Sequence, residues 1–198
     1  MGRFWIGLLV AIVVVLVIAA GSMMWLVNTI SQERVTPLTT LNPDGETGSA
    51  LLVYHPGLSD FPDRIVTAFA DGLVQSGWRV DRTTASREAP AGFAAYDLVV
   101  LGSPIYGGPA KPLSDYIARA DFGGRPVVLL LTGAGDPDVT LRTTVEMIKA
   151  HNGVVIAPLA YTSMRPNESA KSYSGSNVDK AVEMARDAGK ALALPPAQ

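Results

Sequence analysis

The stretch that decides the fold is DLVVLGSPIYGGPAKP, residues 97–112. Residues 98–101 form a short continuous apolar run, which is typical of a strand covered on both faces in a parallel sheet. The run leads directly into residues 102–108, where glycine and proline favour a rigid loop that displays the ring of Tyr106 and backbone amides. The stretch therefore predicts a buried strand with a ligand-facing loop at its carboxyl end.

Similar apolar runs lie on both sides of this strand, at residues 51–53, 127–131 and 154–156, and residues 78–83 form a fifth candidate strand. Helical spacing of apolar residues separates them, at residues 65–73, 141–148 and 178–192. This alternation predicts an α/β domain with an open parallel five-stranded sheet and helices on both faces. In such a sheet the ligand crevice lies beyond the carboxyl ends of the strands. The informative loops therefore follow Tyr54, Gly102 and Thr132.

The loop at residues 102–108 resembles the flavin-contacting loop of the flavodoxin family. The resemblance covers roughly residues 50–192 and implies the strand order 2-1-3-4-5. In that family an aromatic residue of this loop stacks on the isoalloxazine ring, and backbone groups bond the flavin. The matching positions are Ser103, Pro104, Ile105, Tyr106, Gly107 and Gly108. The alternative interpretation is a turn that joins a strand to a helix, with Tyr106 packed locally.

A second candidate loop, Thr132, Gly133, Ala134 and Gly135, follows the most apolar run. It stands in the position of the family's second flavin-side loop, where small residues allow the backbone to approach a planar ring closely. A simple turn into a helix capped by Asp136 explains the same residues equally well. The third glycine of a dinucleotide fingerprint is missing, which argues against a dinucleotide site.

The first loop, HPGLSDFPD at residues 55–63, departs from the family pattern. Flavodoxins hold the phosphate of FMN with a Ser/Thr- and Gly-rich loop leading into the first helix, where free amides and the helix dipole favour an anion. Here Asp60 and Asp63 are expected as an N-cap and a first-turn acid, and two prolines remove amide donors. His55 and Ser59 are the remaining candidate phosphate contacts. His55 fits equally well as a turn residue bonded to backbone.

Two functional hypotheses follow. The resemblance implies FMN-dependent electron transfer to a quinone or a protein partner in or near the bilayer. The altered first loop instead suits a flavin-free accessory or scaffold subunit of a larger membrane protein complex, because a fold does not fix a function. No residue is assigned a catalytic role, and whether the chain is an enzyme stays open. The absence of a G-x-S-x-G elbow, an His-x-x-x-His helix and a Walker loop argues against hydrolases, metalloenzymes and P-loop proteins.

Residues 4–27 carry no charge, and as a helix they would be roughly 36 Å long, enough for a hydrocarbon core of about 30 Å. Trp5 and Trp25 would then lie near the two interfaces. We expect a single-pass transmembrane helix at residues 1–27, a linker at 28–48, the folded domain at 49–193 and a tail at 194–198. Arg3 favours a cytoplasmic N-terminus and an extracytoplasmic domain. The competing interpretation is a signal peptide with a small-residue cleavage site at residues 18–21.

The remaining observations restrict the partners. The net charge of −2 provides no basic surplus, so nucleic acid is excluded as an expected ligand. The chain has no cysteine, which excludes disulfides and cysteine-based metal sites, and no metal site is predicted. The polar loop at residues 161–177 carries Arg165, Lys171 and Tyr173, and its length is typical either of recognition or of a surface excursion.

Overall fold

The computed structural model describes residues 2–164, 166–167 and 175–194. Arg165, Lys171 and Tyr173 of the polar loop, and residues 195–198 of the expected tail, lie outside the described residues. The chain divides into two units, Met1–Gln32 and Glu33–Gln198.

The first unit is the helix α1 (Gly2–Ser31), which continues four residues beyond the expected end of the transmembrane segment. Its segment Phe4–Ser31 is long and apolar enough to cross a membrane, and none of its most apolar window is buried. These properties make α1 a candidate membrane anchor. A signal sequence near the N-terminus meets the same criteria of length and composition.

The second unit is built on one sheet of six strands, β1 (Thr39–Leu41), β2 (Gly48–Tyr54), β3 (Trp78–Thr84), β4 (Leu98–Pro104), β5 (Pro126–Gly133) and β6 (Val154–Thr162). The helices between and after them are α2 (Phe61–Gln75), α3 (Lys111–Arg119), α4 (Asp138–Ala150) and α5 (Asn177–Lys190). The strand order is β1-β3-β2-β4-β5-β6, which leaves β1 and β6 at the two edges. Strands β2 to β6 pair in parallel, so the expected order 2-1-3-4-5 is confirmed for them.

The expectation of five strands is wrong, because the segment expected to be a linker adds the short antiparallel strand β1 to the edge of β3. Thr39 and Thr40 are exposed, so β1 carries no apolar pattern that could reveal it. A side-chain contact holds it in register instead. The hydroxyl of Thr40 donates to the buried carboxylate of Asp81 at 2.5 Å. Asp81 also accepts hydrogen bonds from Tyr96 at 2.9 Å and Arg79 at 3.2 Å.

The core lies on both faces of the sheet, as the apolar runs predict. Successive residues of a strand point to opposite faces. Leu52 of β2 accordingly packs in the cluster that contains residues of α2 and α5, whereas Leu51 packs in the cluster that contains residues of α3. Burial on both faces requires the continuous apolar runs seen in the sequence.

Helices α2 and α5 approach each other closely enough for backbone to meet backbone. A Cβ atom built on Gly72 would lie 2.1 Å from the carbonyl oxygen of Arg186, and one built on Gly189 would lie 2.2 Å from that of Phe69. The two glycines therefore set the distance between the helices. The ion pair of Arg64 with Asp179, at 2.8 Å, adds a contact near the other end of the pair.

Candidate functional site

A cleft of ≈ 290 Å³ opens at the carboxyl edge of the sheet. Three segments line it: the first loop with the start of α2, the loop after β4, and the loop after β5, together with one residue beyond β6. The lining residues are Leu58, Ser59, Phe61, Pro62, Pro104, Ile105, Tyr106, Thr132, Gly133, Ala134, Gly135 and Ser163. The volume is close to the lower end of the range of small-molecule sites, about 300–1,000 Å³.

The loops after β4 and β5 are packed against each other. The amide of Ile105 donates to the carbonyl oxygen of Thr132 at 2.8 Å. A Cβ atom on Gly133 would lie 3.0 Å from Cβ of Ile105, so a larger residue at this position would push the loops apart. The amide of Ser163 donates to the carbonyl oxygen of Gly133 at 3.0 Å and adds the end of β6 to the same wall. These contacts give the cleft one fixed wall.

Tyr106 connects this wall to the first loop. Its side chain is 39% exposed and lines the cleft, while its hydroxyl lies 3.2 Å from the position that a Cβ atom of Gly57 would take. Gly57 has a φ of +73°, which favours glycine. Burial raises the pKa of Tyr106, whereas a backbone hydrogen bond from Leu58 and the positive charge of Arg34 act to lower it. Tyr106 is therefore an uncharged aromatic side chain at neutral pH.

Thr132, which lines the cleft, has a buried side-chain oxygen without a partner among the described residues. The residue is 2% exposed, and its Oγ1 has no hydrogen-bond partner within the part of the chain that the structure describes. A buried hydroxyl left without a partner is destabilising, and most buried polar groups in proteins have one. Thr132 Oγ1 is thus an unsatisfied polar group in the wall of the cleft.

The start of α2 differs from the expected cap. Asp60 occupies the N-cap position, but its side chain makes no capping hydrogen bond, so the expectation that it caps the helix is wrong. The backbone of Asp60 has a helical conformation, φ −74° and ψ −11°, instead of the extended one typical of an N-cap. The carboxylate of Asp63 accepts a hydrogen bond from the hydroxyl of Tyr54 at 2.5 Å. The side chain of Asp60 therefore leaves the first amides of α2 uncapped.

The cleft brings together eight of the twelve candidate ligand residues, namely Ser59, Pro104, Ile105, Tyr106, Thr132, Gly133, Ala134 and Gly135. The other four, His55, Ser103, Gly107 and Gly108, do not line it. His55 is 2% exposed, and its backbone amide donates to Gly102 at 3.0 Å. The buried hydroxyl of Ser103 accepts from the amide of Ala110 at 2.9 Å and donates to the carbonyl oxygen of Pro104 at 3.0 Å. The two hydrogen bonds of Ser103 therefore stabilise the conformation of this loop.

The structure adds Leu58, Phe61, Pro62 and Ser163 to the lining. The sequence signal for Leu58 and Phe61 is an apolar residue within a polar loop. Ser163 carries no such signal, because it reaches the cleft only through the pairing of β6 with β5.

Asp136 does not cap α4, which begins at Asp138, but its carboxylate accepts the Asp138 amide at 2.9 Å. Among the described residues no cluster of His, Cys, Asp and Glu could hold a metal ion.

We expect ionisation of Tyr54, which lies just before the first loop, to destabilise the domain at alkaline pH. Burial raises its pKa to about 12, and the hydrogen bond to Asp63 acts in the same direction. An unfolded tyrosine ionises near pH 10, so this stabilisation is complete below about pH 10 and is lost as the pH rises through about 12. We expect the melting temperature to fall less steeply over this interval in the Tyr54→Phe variant, as measured by circular dichroism. Parallel curves for both proteins would contradict this assignment.

No protein-family model matches the sequence, and no curated protein matches it. Solved structures do match the fold. Flavodoxin 1 from Bacillus cereus is similar with a TM-score of 0.54 and 14% sequence identity, over 73% of this chain and 99% of that chain. A flavodoxin from the domain Archaea is similar with a TM-score of 0.55 and 14% identity, over 72% of this chain and 94% of that chain.

The Flv1 flavodiiron core from Synechocystis sp. PCC6803 is similar with a TM-score of 0.56 and 14% identity, over 75% of this chain and 36% of that chain. The match to the two flavodoxins extends over nearly their whole length. Together with the confirmed strand order, these likenesses show that the second unit of this chain has the flavodoxin-like fold.

Proposed function

We propose that this protein is a membrane-anchored electron-transfer protein that binds FMN in the cleft at the carboxyl edge of its sheet. The strand order reverses between β2 and β4, since the chain goes from β2 to β3 on one side and returns to β4 on the other. Ligands of open α/β sheets bind at such a switch point. The first loop and the loop after β4, which both line the cleft, follow these two strands.

The single observation that carries the proposal is the cleft at this switch point, whose wall contains the buried, unsatisfied hydroxyl of Thr132. A flavin ring presents polar edges and an apolar face, and the residues that line the cleft include Thr132 together with Ile105, Tyr106 and Phe61. Gly133 and Gly135 let the loop after β5 pack closely against Ile105, which forms part of this wall. The residues present thus fit the ring of the cofactor.

A bound flavin would supply the redox chemistry, and the protein would supply binding and orientation. Tyr106 is uncharged at neutral pH and provides an aromatic surface, Thr132 provides a hydrogen-bonding group, and Ile105 and Phe61 reduce the access of water. The start of α2 lies in the same cleft, and its first amides carry the positive end of the helix dipole.

The proposal includes the bilayer as a partner, with α1 as a single-pass anchor and a quinone or a membrane protein complex as electron acceptor. The length and apolar composition of α1 support anchoring. Arg3 at the start of the helix supports an extracytoplasmic position of the domain.

An absorbance spectrum tests the proposal directly. The full chain, extracted from membranes in mild detergent, is expected to show the visible absorbance of bound flavin, or to acquire it after incubation with FMN and removal of free ligand. A protein that stays colourless after incubation with FMN would overturn the proposal and would favour the flavin-free accessory role.

The Thr132→Val variant makes the test specific to the cleft. The change removes the hydroxyl at nearly constant volume, so we expect FMN affinity to fall about fivefold, equivalent to a hydrogen bond of about 1 kcal/mol. The unliganded protein should melt at the same or a higher temperature, since a buried group without a partner is removed.

Thr140 is the matched control. It is also buried, and its Oγ1 likewise has no hydrogen-bond partner among the described residues, but it lies on α4 and does not line the cleft. We expect Thr140→Val to leave FMN affinity unchanged. Equal FMN affinities of Thr132→Val and the wild type, measured by fluorescence titration, would remove Thr132 from the site.

A further inference from the structure

The chain enters the domain through a segment that we call the strap, residues 33–37, which is docked on the end of β3. The amide of Thr36 donates to Oγ1 of Thr84 at 3.0 Å, and the amide of Thr84 donates to Oγ1 of Thr36 at 3.1 Å. The hydroxyl of Thr83 donates to the carbonyl oxygen of Thr36 at 2.9 Å, and that of Thr84 donates to the carbonyl oxygen of Arg34. Because Thr84 is the last residue of β3, the strap lies at the same edge of the sheet as the cleft.

The strap brings a positive charge to this edge. The side chain of Arg34 is exposed, and within the described part of the chain it makes no ion pair. The neighbouring Glu33 pairs with Arg87 at 3.9 Å. Thr84, whose hydroxyl bonds the carbonyl oxygen of Arg34, is the register partner of Tyr54, the last residue of β2 before the first loop. The backbone of Arg34 is therefore held beside the strand end from which the first loop begins.

The first loop contributes no Lys or Arg side chain for an anion, although the first amides of α2 lie at its end. Pro62 has no amide proton, and the exposed Asp60 places a negative charge at the start of α2. Only Ser59 contributes a hydroxyl of this loop to the lining of the cleft. A cation from another segment would therefore strengthen the binding of a phosphate beside this loop, and a guanidinium matches phosphate well because its fixed donors can bind two oxygens at once.

We propose that Arg34 binds the phosphate group of the flavin nucleotide, so that the strap following α1 supplies the charge that the first loop lacks. This inference rests on the proposed function. It assigns a binding role to a residue outside the three loops at the sheet edge. It also implies that the site prefers FMN to riboflavin through this one side chain.

The test compares the two flavins with the full chain in detergent. We expect Arg34→Gln to weaken FMN binding about fivefold, near the upper limit for an exposed ion pair, and to leave riboflavin binding unchanged. Arg34→Lys should retain part of the preference, because it keeps the charge. Added salt should weaken FMN binding in the wild type more than in Arg34→Gln.

Arg125→Gln is the matched control. It makes the same change of charge at the amino ends of the strands, on the side of the sheet away from the cleft. Arg125 directly precedes β5, whose eight residues span about 26 Å from there to the cleft. We expect this variant to bind both flavins like the wild type. Arg34→Gln should also keep the wild-type melting temperature, because the hydrogen bonds of the strap involve its backbone and the threonine hydroxyls.

The outcomes separate the two proposals. If the wild type binds FMN and Arg34→Gln binds it equally well, the role of Arg34 is overturned and the flavin site stands. Equal weakening of FMN and riboflavin would also overturn it, since the strap would then act only on the shape of the site. If the wild type binds neither flavin, the proposed function is overturned together with this inference.

Discussion

Replacement of Gly189 by alanine is expected to destabilise the domain by about 3 kcal/mol, at the upper end of the usual range for overpacking. The new methyl group would lie 2.2 Å from the carbonyl oxygen of Phe69, a backbone atom that cannot move without shifting α2. The clash therefore separates α2 from α5 along their contact and disturbs the core cluster that both helices share. Chemical denaturation of the full chain, followed by near-ultraviolet circular dichroism, measures the effect.

Gly92→Ala is the control for this variant. Gly92 is exposed, its φ is not positive, and a Cβ atom there would have no neighbour within 4 Å. Alanine at this position should be neutral or slightly stabilising, because it reduces the conformational freedom of the unfolded chain. A free energy of unfolding for Gly189→Ala equal to that of Gly92→Ala would contradict the close contact between the helices.

Replacement of Gly57 by alanine is expected to disrupt the cleft and to destabilise the domain by about 2–3 kcal/mol, from backbone strain and crowding together. Gly57 has a φ of +73°, and a Cβ atom would lie 2.9 Å from the ring of Pro104 and 3.2 Å from the hydroxyl of Tyr106. The first loop would have to move away from the loop after β4. We expect a loss of flavin binding in a fluorescence titration, in addition to the loss of stability.

Gly107→Ala separates the two causes. Gly107 has a similar φ of +83°, but a Cβ atom there would have no neighbour within 4 Å. This variant should show the strain alone, about 1 kcal/mol, with flavin affinity close to that of the wild type. If Gly57→Ala and Gly107→Ala lose equal stability and affinity, the contact of the first loop with Tyr106 does not matter for the site.

The parallel sheet was predictable because burial on both faces leaves a direct trace in the sequence. Residues 98–101 and 127–131 are fully buried and continuously apolar, so their assignment needed no knowledge of their partners. Strand β1 left no such trace. Its position depends on the contact between Thr40 and Asp81, which are 41 residues apart, and a single polar pair has no periodicity.

The site was predictable to the extent that it follows strand ends. Tyr106 and Thr132 stand at or just beyond the ends of β4 and β5, and both line the cleft. Ser103 stands in the same loop, yet its hydroxyl bonds within the turn, which depends on loop conformation and not on spacing. The position of Arg34 beside the end of β3 depends on the threonine contacts of the strap, and the sequence alone assigned Arg34 only to a linker.

The two borders of the sheet limit how other chains can add to it. A free strand edge is a template for intermolecular pairing, and proteins protect such edges with short strands or with proline. Strand β1 has only three residues, and β6 carries the exposed Pro158, whose ring nitrogen has no proton to donate. Copies of this domain crowded together would therefore meet, among the strands that the structure describes, no long, uninterrupted edge on which a fibrillar aggregate could begin to grow.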